Sequence, residues 1–272
     1  MWNRLARVDR RWIFLTILIV VAAPFIFGWY SGVGAISPTT QAIFDFIDKL
    51  PAGTPVMIAF DYGPASMAEL HPMAMGLARH ILTKKLRLIG VSLDPQGANL
   101  GEDALEKVAK ALKADKGRDW VNLGYKPGYL SVMGGLGTNI LKVFPTDYSG
   151  APLAKQPVMA GVKTYSDIGF VIDLASSNSP SDWIAVAHGR YKANVAVGVT
   201  AVMAVDYYPY LQSKQIVGLL NGLKGAAEYE SLVHQLGMAS LGMTSQSIAH
   251  VVIILFVVLG NVGYFAARRR RG

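Results

Sequence analysis

The 272-residue chain contains no cysteine. Disulfides, thiol catalysis and Cys-ligated zinc are therefore excluded together. It also lacks a P-loop, a G-x-S-x-G nucleophile elbow and an H-E-x-x-H zinc motif, so nothing in it marks those three chemistries. Charge is absent from two long stretches. Trp12 to Tyr30 is 19 residues, and Val251 to Ala267 is 17, without one Asp, Glu, Lys or Arg.

The formal charge of +8 is a property of the tails. Arg4, Arg7, Arg10 and Arg11 stand against Asp9 at one end, and Arg268 to Arg271 close the other. Without those nine residues, 18 Lys and Arg face 17 Asp and Glu, a net of +1. A basic surface for phosphates is not indicated, and no nucleic-acid partner is expected.

Each arginine cluster abuts an apolar run, the second extended upstream by Ser247-Ile-Ala-His250. A bilayer-spanning helix needs about 20 predominantly apolar residues, and clustered arginines favour the cytoplasmic side. The sequence therefore predicts basic tails at 1–11 and 268–272 in the cytoplasm, spans at 12–30 and 246–267, and an extracytoplasmic domain at 31–245 of a plasma (inner) membrane. The first apolar run exceeds the usual signal-peptide core, and Gly32-Val-Gly-Ala35 is a poor cleavage site, so it reads as a signal-anchor. An exported domain without cysteine fits a prokaryote.

Within the domain, Pro55-Val-Met-Ile-Ala-Phe-Asp-Tyr-Gly-Pro64 sets the pattern of a buried strand, a polar carboxyl end and a turn into a helix. Further strands are expected at 86–94, 120–125, 170–175 and 194–199, with 201–206 as an extension of the last. Between them come a helix opened by Ser37-Pro38, one restarted at Pro72, an amphipathic one at 102–116, a glycine-rich one at 129–143 and one capped by Ser179-Pro180. Residues 145–166 read as a long loop. A last helix is expected from Leu211 to His234, with Ile216, Leu219, Leu220, Leu223 and Ala227 on one face and Gly218, Gly222 and Gly225 on the other. The fold class is α/β: a doubly wound, mostly parallel sheet of about five strands, Rossmann-like or flavodoxin-like, flanked by two transmembrane helices.

Ligands of such sheets approach the carboxyl ends of the strands. The candidate ligand-binding residues are accordingly Asp61, Tyr62, Asp94, Asp206 and Tyr207. Asp61, Glu69, His71 and Asp94 could converge as an acid/base group, although Asp61 and Asp94 equally suit the capping of their own turns. No spacing matches a metal signature, and no cofactor is expected. Gly134-Gly-Leu-Gly-Thr-Asn139 lies too far past its strand to read as a dinucleotide loop. In the second span Asn261, beside Gly260 and Gly263, wants a partner in hydrocarbon. Those three, with Gly218, Gly222 and Gly225, are candidate partner contacts.

The run Tyr208–Glu230, together with Phe60-Asp-Tyr-Gly-Pro64, resembles segments of prokaryotic two-span membrane proteins. That resemblance carries no activity. The expected function is a binding or assembly subunit of a membrane complex, with a membrane-protein partner or a second copy. The alternatives are an envelope-facing hydrolase or transferase built around Asp61, and, by architecture alone, an accessory subunit of an ABC-type exporter.

Overall fold

The computed structural model describes residues 9–30 and 34–269. Most of the two arginine tails (Arg4, Arg7, Arg270 and Arg271 among them) and the start of the loop at 31–33 lie outside the described residues. The chain forms two units, one of residues 33–239 and one of the two terminal segments, 1–32 and 240–272.

Helix α1 (Arg10–Phe27) begins where Asp9 Oδ1 accepts the Arg11 N–H at 3.0 Å and ends at Gly28, whose φ of 63° suits glycine. The other terminal helix, α10 (Met238–Arg269), is continuous over 32 residues, or about 48 Å at 1.5 Å per residue. It starts some eight residues before the apolar run that identified it. Both helices are long and apolar enough to cross a membrane. Trp12, Phe14, Leu18 and Ile26 on one, and Val251, Ile254 and Phe265 on the other, are exposed.

The 33–239 unit opens with α2 (Pro38–Asp48), β1 (Pro55–Asp61) and, after a 3₁₀ turn at Pro64–Ser66, α3 (Met67–Thr83). Pro72 lies inside α3, which passes through it without a break. Next come β2 (Arg87–Ser92), α4 (Gly97–Leu112), β3 (Trp120–Tyr125), α5 (Tyr129–Leu136) and a single turn, α6 (Ile140–Val143). Three 3₁₀ turns punctuate the long loop before β4 (Phe170–Ala175). Helix α7 (Ser179–Trp183) runs into a π-helical stretch at Ile184–Arg190. Strand β5 (Val195–Val199), α8 (Ala204–Gln212), β6 (Leu219–Asn221) and α9 (Gly222–Leu232) complete the unit.

The sheet has six parallel strands in the order β3-β2-β1-β4-β5-β6. That is the Rossmann-like order rather than the flavodoxin-like one, and its direction reverses between β1 and β4. Strands β1 and β4 are buried along their whole length because helices cover both faces. On one face Met57, Ala59, Ile89, Val171 and Val197 pack with Val132, Met133, Trp183 and Tyr207 of α5, α7 and α8. On the other, α4 comes so close that a methyl at Gly97 would overlap the Phe60 carbonyl oxygen, and one at Gly101 would stand 2.5 Å from the Phe60 ring.

Four expectations are corrected. The count is six strands, not five, and the single helix at 211–234 does not exist. Lys214 at φ 59° ends α8, a three-residue strand follows, and Gly222 at φ 53° turns the chain into α9. Ile216, Leu219 and Leu220 are buried, but through a strand and its approach, and so short a strand shows no period of its own. The expected strand extension at 201–206 is instead the turn into α8. Helix 102–116 starts earlier, at Gly97, and ends at Leu112, where Lys113 adopts φ 56°.

Candidate functional site

The reversal of strand order puts the carboxyl ends of β1 and β4 side by side. Asp61 closes β1 opposite Ala175, and Asp173 lies opposite Ala59 on β4. Side chains two apart share a face, so the two aspartates are diagonal neighbours beneath α5 and α7. Both are buried. Asp61 Oδ1 accepts the Leu93 N–H at 2.6 Å and its Oδ2 the Trp183 Nε1–H at 2.9 Å. The Ser179 hydroxyl donates to Asp173 Oδ2 at 2.9 Å.

Burial pushes the Asp61 carboxyl up to about 6, against the Trp183 and Leu93 hydrogen bonds that favour its charge. Burial raises Asp173 well above the ordinary carboxylate range, and the Asp61 charge adds to it. Two carboxyls on one face of adjacent strands in a dry interior oppose each other's ionisation. Among the described residues no Lys, Arg or His forms an ion pair with either aspartate.

Three loops meet above this pair. Tyr129 is the first residue of α5, and burial raises its hydroxyl to about 12. It follows Gly128 at φ 110° and itself adopts φ 31°, a conformation costing on the order of 1 kcal/mol for an L-residue. From α8, Tyr207 is buried, and burial raises its hydroxyl. At the same edge Tyr125, Leu130, Val202, Val205 and Tyr208 are exposed, Val202 by 84%, beside exposed Ser176, Ser177, Asn178 and Asp206.

The residues expected at this edge are not gathered in one place. Asp94 Oδ1 accepts the N–H groups of Gln96 (2.7 Å) and Gly97 (3.3 Å) and so caps its own turn. Glu69 Oε2 accepts the Ala201 N–H at 2.9 Å, tying α3 to the loop after β5. Tyr62 is fully buried on the opposite face of β1, its hydroxyl 3.1 Å from His71 Nδ1. His71 Nε2 is 3.2 Å from Asp103 Oδ2, and burial lowers its pKa. Asp206 is exposed in the first turn of α8. Asp61, Glu69, His71 and Asp94 therefore do not converge. Only Asp61 and Tyr207, of the residues singled out, border the paired carboxyls.

The glycines also separate. Gly218 packs on Ile43 and the Thr39 carbonyl of α2, Gly222 on Ala201, and Gly225 on Leu220. In α10, the Asn261 amide donates to the Val257 carbonyl one turn earlier at 2.9 Å, Gly260 has open space beside it, and Gly263 is buried. Ser245 Oγ donates to the Val21 carbonyl of α1 at 2.9 Å, a contact between the two terminal helices.

Sequence reasoning missed Asp173, Trp183, Ser179 and Tyr129. A signal for Asp173 was present: one aspartate inside an otherwise apolar strand, where an unpaired charge is rarely buried. No protein-family model matches the chain, and no curated protein matches it.

Proposed function

We propose that α1 and α10 cross a membrane with both arginine-rich ends in the cytoplasm, and that the 33–239 unit is an extracytoplasmic binding subunit. Its carboxyl-edge rim docks an apolar segment of a partner protein in the same membrane. The observation that carries this reading is the rim itself. Tyr125, Leu130, Val202, Val205 and Tyr208 stay exposed at the edge where open α/β sheets take their ligands. Asp61, Asp94 and Glu69 accept backbone or indole N–H groups and Asp173 accepts the Ser179 hydroxyl, which favours binding over hydrolysis.

Two experiments test it. Protease added to intact cells should cut within 33–239 and spare the arginine tails; the reverse pattern would invert the placement. A photo-crosslinking residue at Val202, in the full chain in its native membrane, should form one discrete adduct with a polypeptide. Val205→Asp should abolish that adduct, and the same probe at Lys155 should give none. Adducts with lipid alone, or none, defeat the proposal.

A further inference from the structure

Every crossover in a parallel sheet brings its helix back to the amino ends of the strands, so the crossover helices of the 33–239 unit all end on one side. At those ends the chain repeats one feature. Lys85 follows α3, Lys113 follows α4, Lys192 follows the π-helical stretch and Lys214 follows α8, each at a φ between 56° and 60°. Helices commonly turn through such a left-handed residue with glycine, and here a lysine stands in its place four times. All four are exposed, and none forms an ion pair among the described residues. Acids at the same helix ends are already taken: Asp48 by Lys84, and Asp115 and Asp119 by Arg118.

The opposite edge carries no such charge. Connections into β2, β3, β5 and β6 (84–86, 113–119, 191–194 and 213–218) hold seven Lys and Arg against two Asp. The loops at the carboxyl ends (62–66, 93–96, 126–128, 176–178 and 200–203) hold one of each sign, Lys126 and Asp94. The basic side is also where the chain enters and leaves the unit. Ser37, at the start of α2, hydrogen-bonds Glu228, and the Thr39 carbonyl lies against Gly218, just before β6. Glu230, in the last turn of α9, accepts the Gly237 and Ala239 N–H groups as α10 begins.

We propose that this amino-end face is a lipid-docking surface, whose lysines lie against the anionic phosphate headgroups of the membrane that α1 and α10 cross. It rests on the reading of those helices as spans, and it presents the rim, on the other edge of the sheet, away from the bilayer. Ser245 meets Val21 in the middle of the first apolar run, and Met238 stands seven residues, about 10 Å, before it. Half a hydrocarbon core is about 15 Å, so α10 leaves the core close to its first turn, with no stalk in between. A bare helix carboxyl end repels phosphate, and a lysine at each end reverses that sign. The long stem carries the ammonium to the headgroups. Each lysine at an anionic surface favours contact by about fivefold, and only within a Debye length, about 8 Å at physiological salt.

Because the chain has no cysteine, a single introduced thiol takes a fluorophore cleanly. The full chain is labelled at Ser213→Cys, beside Lys214, or at Ser177→Cys on the rim edge, both exposed. It is placed in nanodiscs of phosphatidylcholine alone, or of phosphatidylcholine and phosphatidylglycerol in equal parts, with a headgroup-nitroxide lipid as quencher. Quenching at 213 should be about twofold or more stronger in the anionic bilayer. It should return to the neutral-bilayer level in about 1 M salt, where the Debye length is about 3 Å, and in the triple variant Lys85→Gln, Lys113→Gln, Lys214→Gln. The label at 177 should stay unquenched in both bilayers. Inorganic phosphate at matched ionic strength should do no more than chloride. Equal quenching in the two bilayers, insensitivity to salt, equal quenching at 177, or specific displacement by phosphate overturns the proposal. If the triple variant misfolds, the salt and lipid arms still decide. A nanodisc offers the same lipid on both faces, so the result does not depend on which side of the cell the domain occupies. A chain that fails to enter the nanodisc overturns the spanning reading and this surface with it. An inserted chain indifferent to anionic lipid overturns the surface alone, and a failed crosslink at the rim leaves it standing.

Discussion

The indole Nε1–H of Trp183 donates to Asp61 Oδ2 at 2.9 Å, joining residues 122 apart in sequence. Trp183 is completely buried, so the bond is shielded from water, and its ring also meets Tyr165 edge-on at 6.3 Å between centroids. Trp183→Phe removes the donor and leaves a void. The expected loss is about 2–4 kcal/mol of unfolding free energy. Urea titration in mild detergent, followed by circular dichroism, measures it; a loss below about 0.5 kcal/mol would show the bond to be incidental.

Stability against pH should carry two opposing contributions. Asp61 rises from 3.8 to about 6 on folding, so the folded state holds a proton the unfolded chain has released. Its contribution is complete below about 3.8 and is lost as pH rises through about 6. Burial pushes His80 down from 6.5 to about 4, as the ring stacks on Phe44 and its Nδ1 meets the Tyr229 hydroxyl at 2.8 Å. That contribution is complete above 6.5 and is lost as pH falls through about 4. In the interval between, Asp61→Asn, which removes the titrating carboxyl itself, should leave a melting temperature that climbs with pH, and His80→Phe one that declines. Parallel profiles for the two variants would contradict both assignments.

Glycine tolerance should differ sharply between two helices. At Gly97 a methyl would overlap the Phe60 carbonyl oxygen and lie 2.6 Å from Ser92 Oγ, so Gly97→Ala should cost about 1–3 kcal/mol or more. Gly134, inside α5, has nothing within 4 Å of the same position. Gly134→Ala should be neutral or stabilising by up to about 1 kcal/mol. Thermal unfolding of the two variants side by side is the check, and equal effects would refute the close approach of α4 to β1.

Much of the fold could be read from local pattern. Strands at 120–125 and 170–175 agree to the residue with their mostly apolar runs, because a strand covered on both faces reads as a nearly continuous hydrophobic run. Ser37-Pro38 placed the start of α2 because proline at the first helical position loses no hydrogen bond. What failed was whatever depended on distant partners. Leu219-Leu220-Asn221 becomes a strand only because β5 offers it an edge, and three residues cannot announce that. The site divides the same way. Asp61 was visible as a polar residue at a strand end, whereas its partner on β4 is adjacent only through the strand order. Glu69, His71 and Asp94 looked like companions through sequence proximity. Side-chain direction sends each to a different neighbour.

Helix α9 ties down both ends of the 33–239 unit. Buried Glu228 accepts hydrogen bonds from the Ser37 and Thr40 hydroxyls at the start of α2, the latter at 2.7 Å. Glu230 accepts the Gly237 N–H at 2.9 Å on Oε2 and the Ala239 N–H at 3.1 Å on Oε1. Those donors open α10, where unsatisfied N–H groups and the positive end of the helix dipole favour a carboxylate. Glu230→Ala should therefore cost about 1–2 kcal/mol, as loss of a helix cap does, concentrated in the first turn of α10. Glu230→Gln, which keeps an acceptor without the charge, should recover part of it. Hydrogen exchange over residues 237–242 resolves the effect: amides there should exchange faster in the alanine variant while those of β1 and β4 stay unchanged. A uniform loss across the sheet would mean that Glu230 supports the global fold rather than the start of this helix.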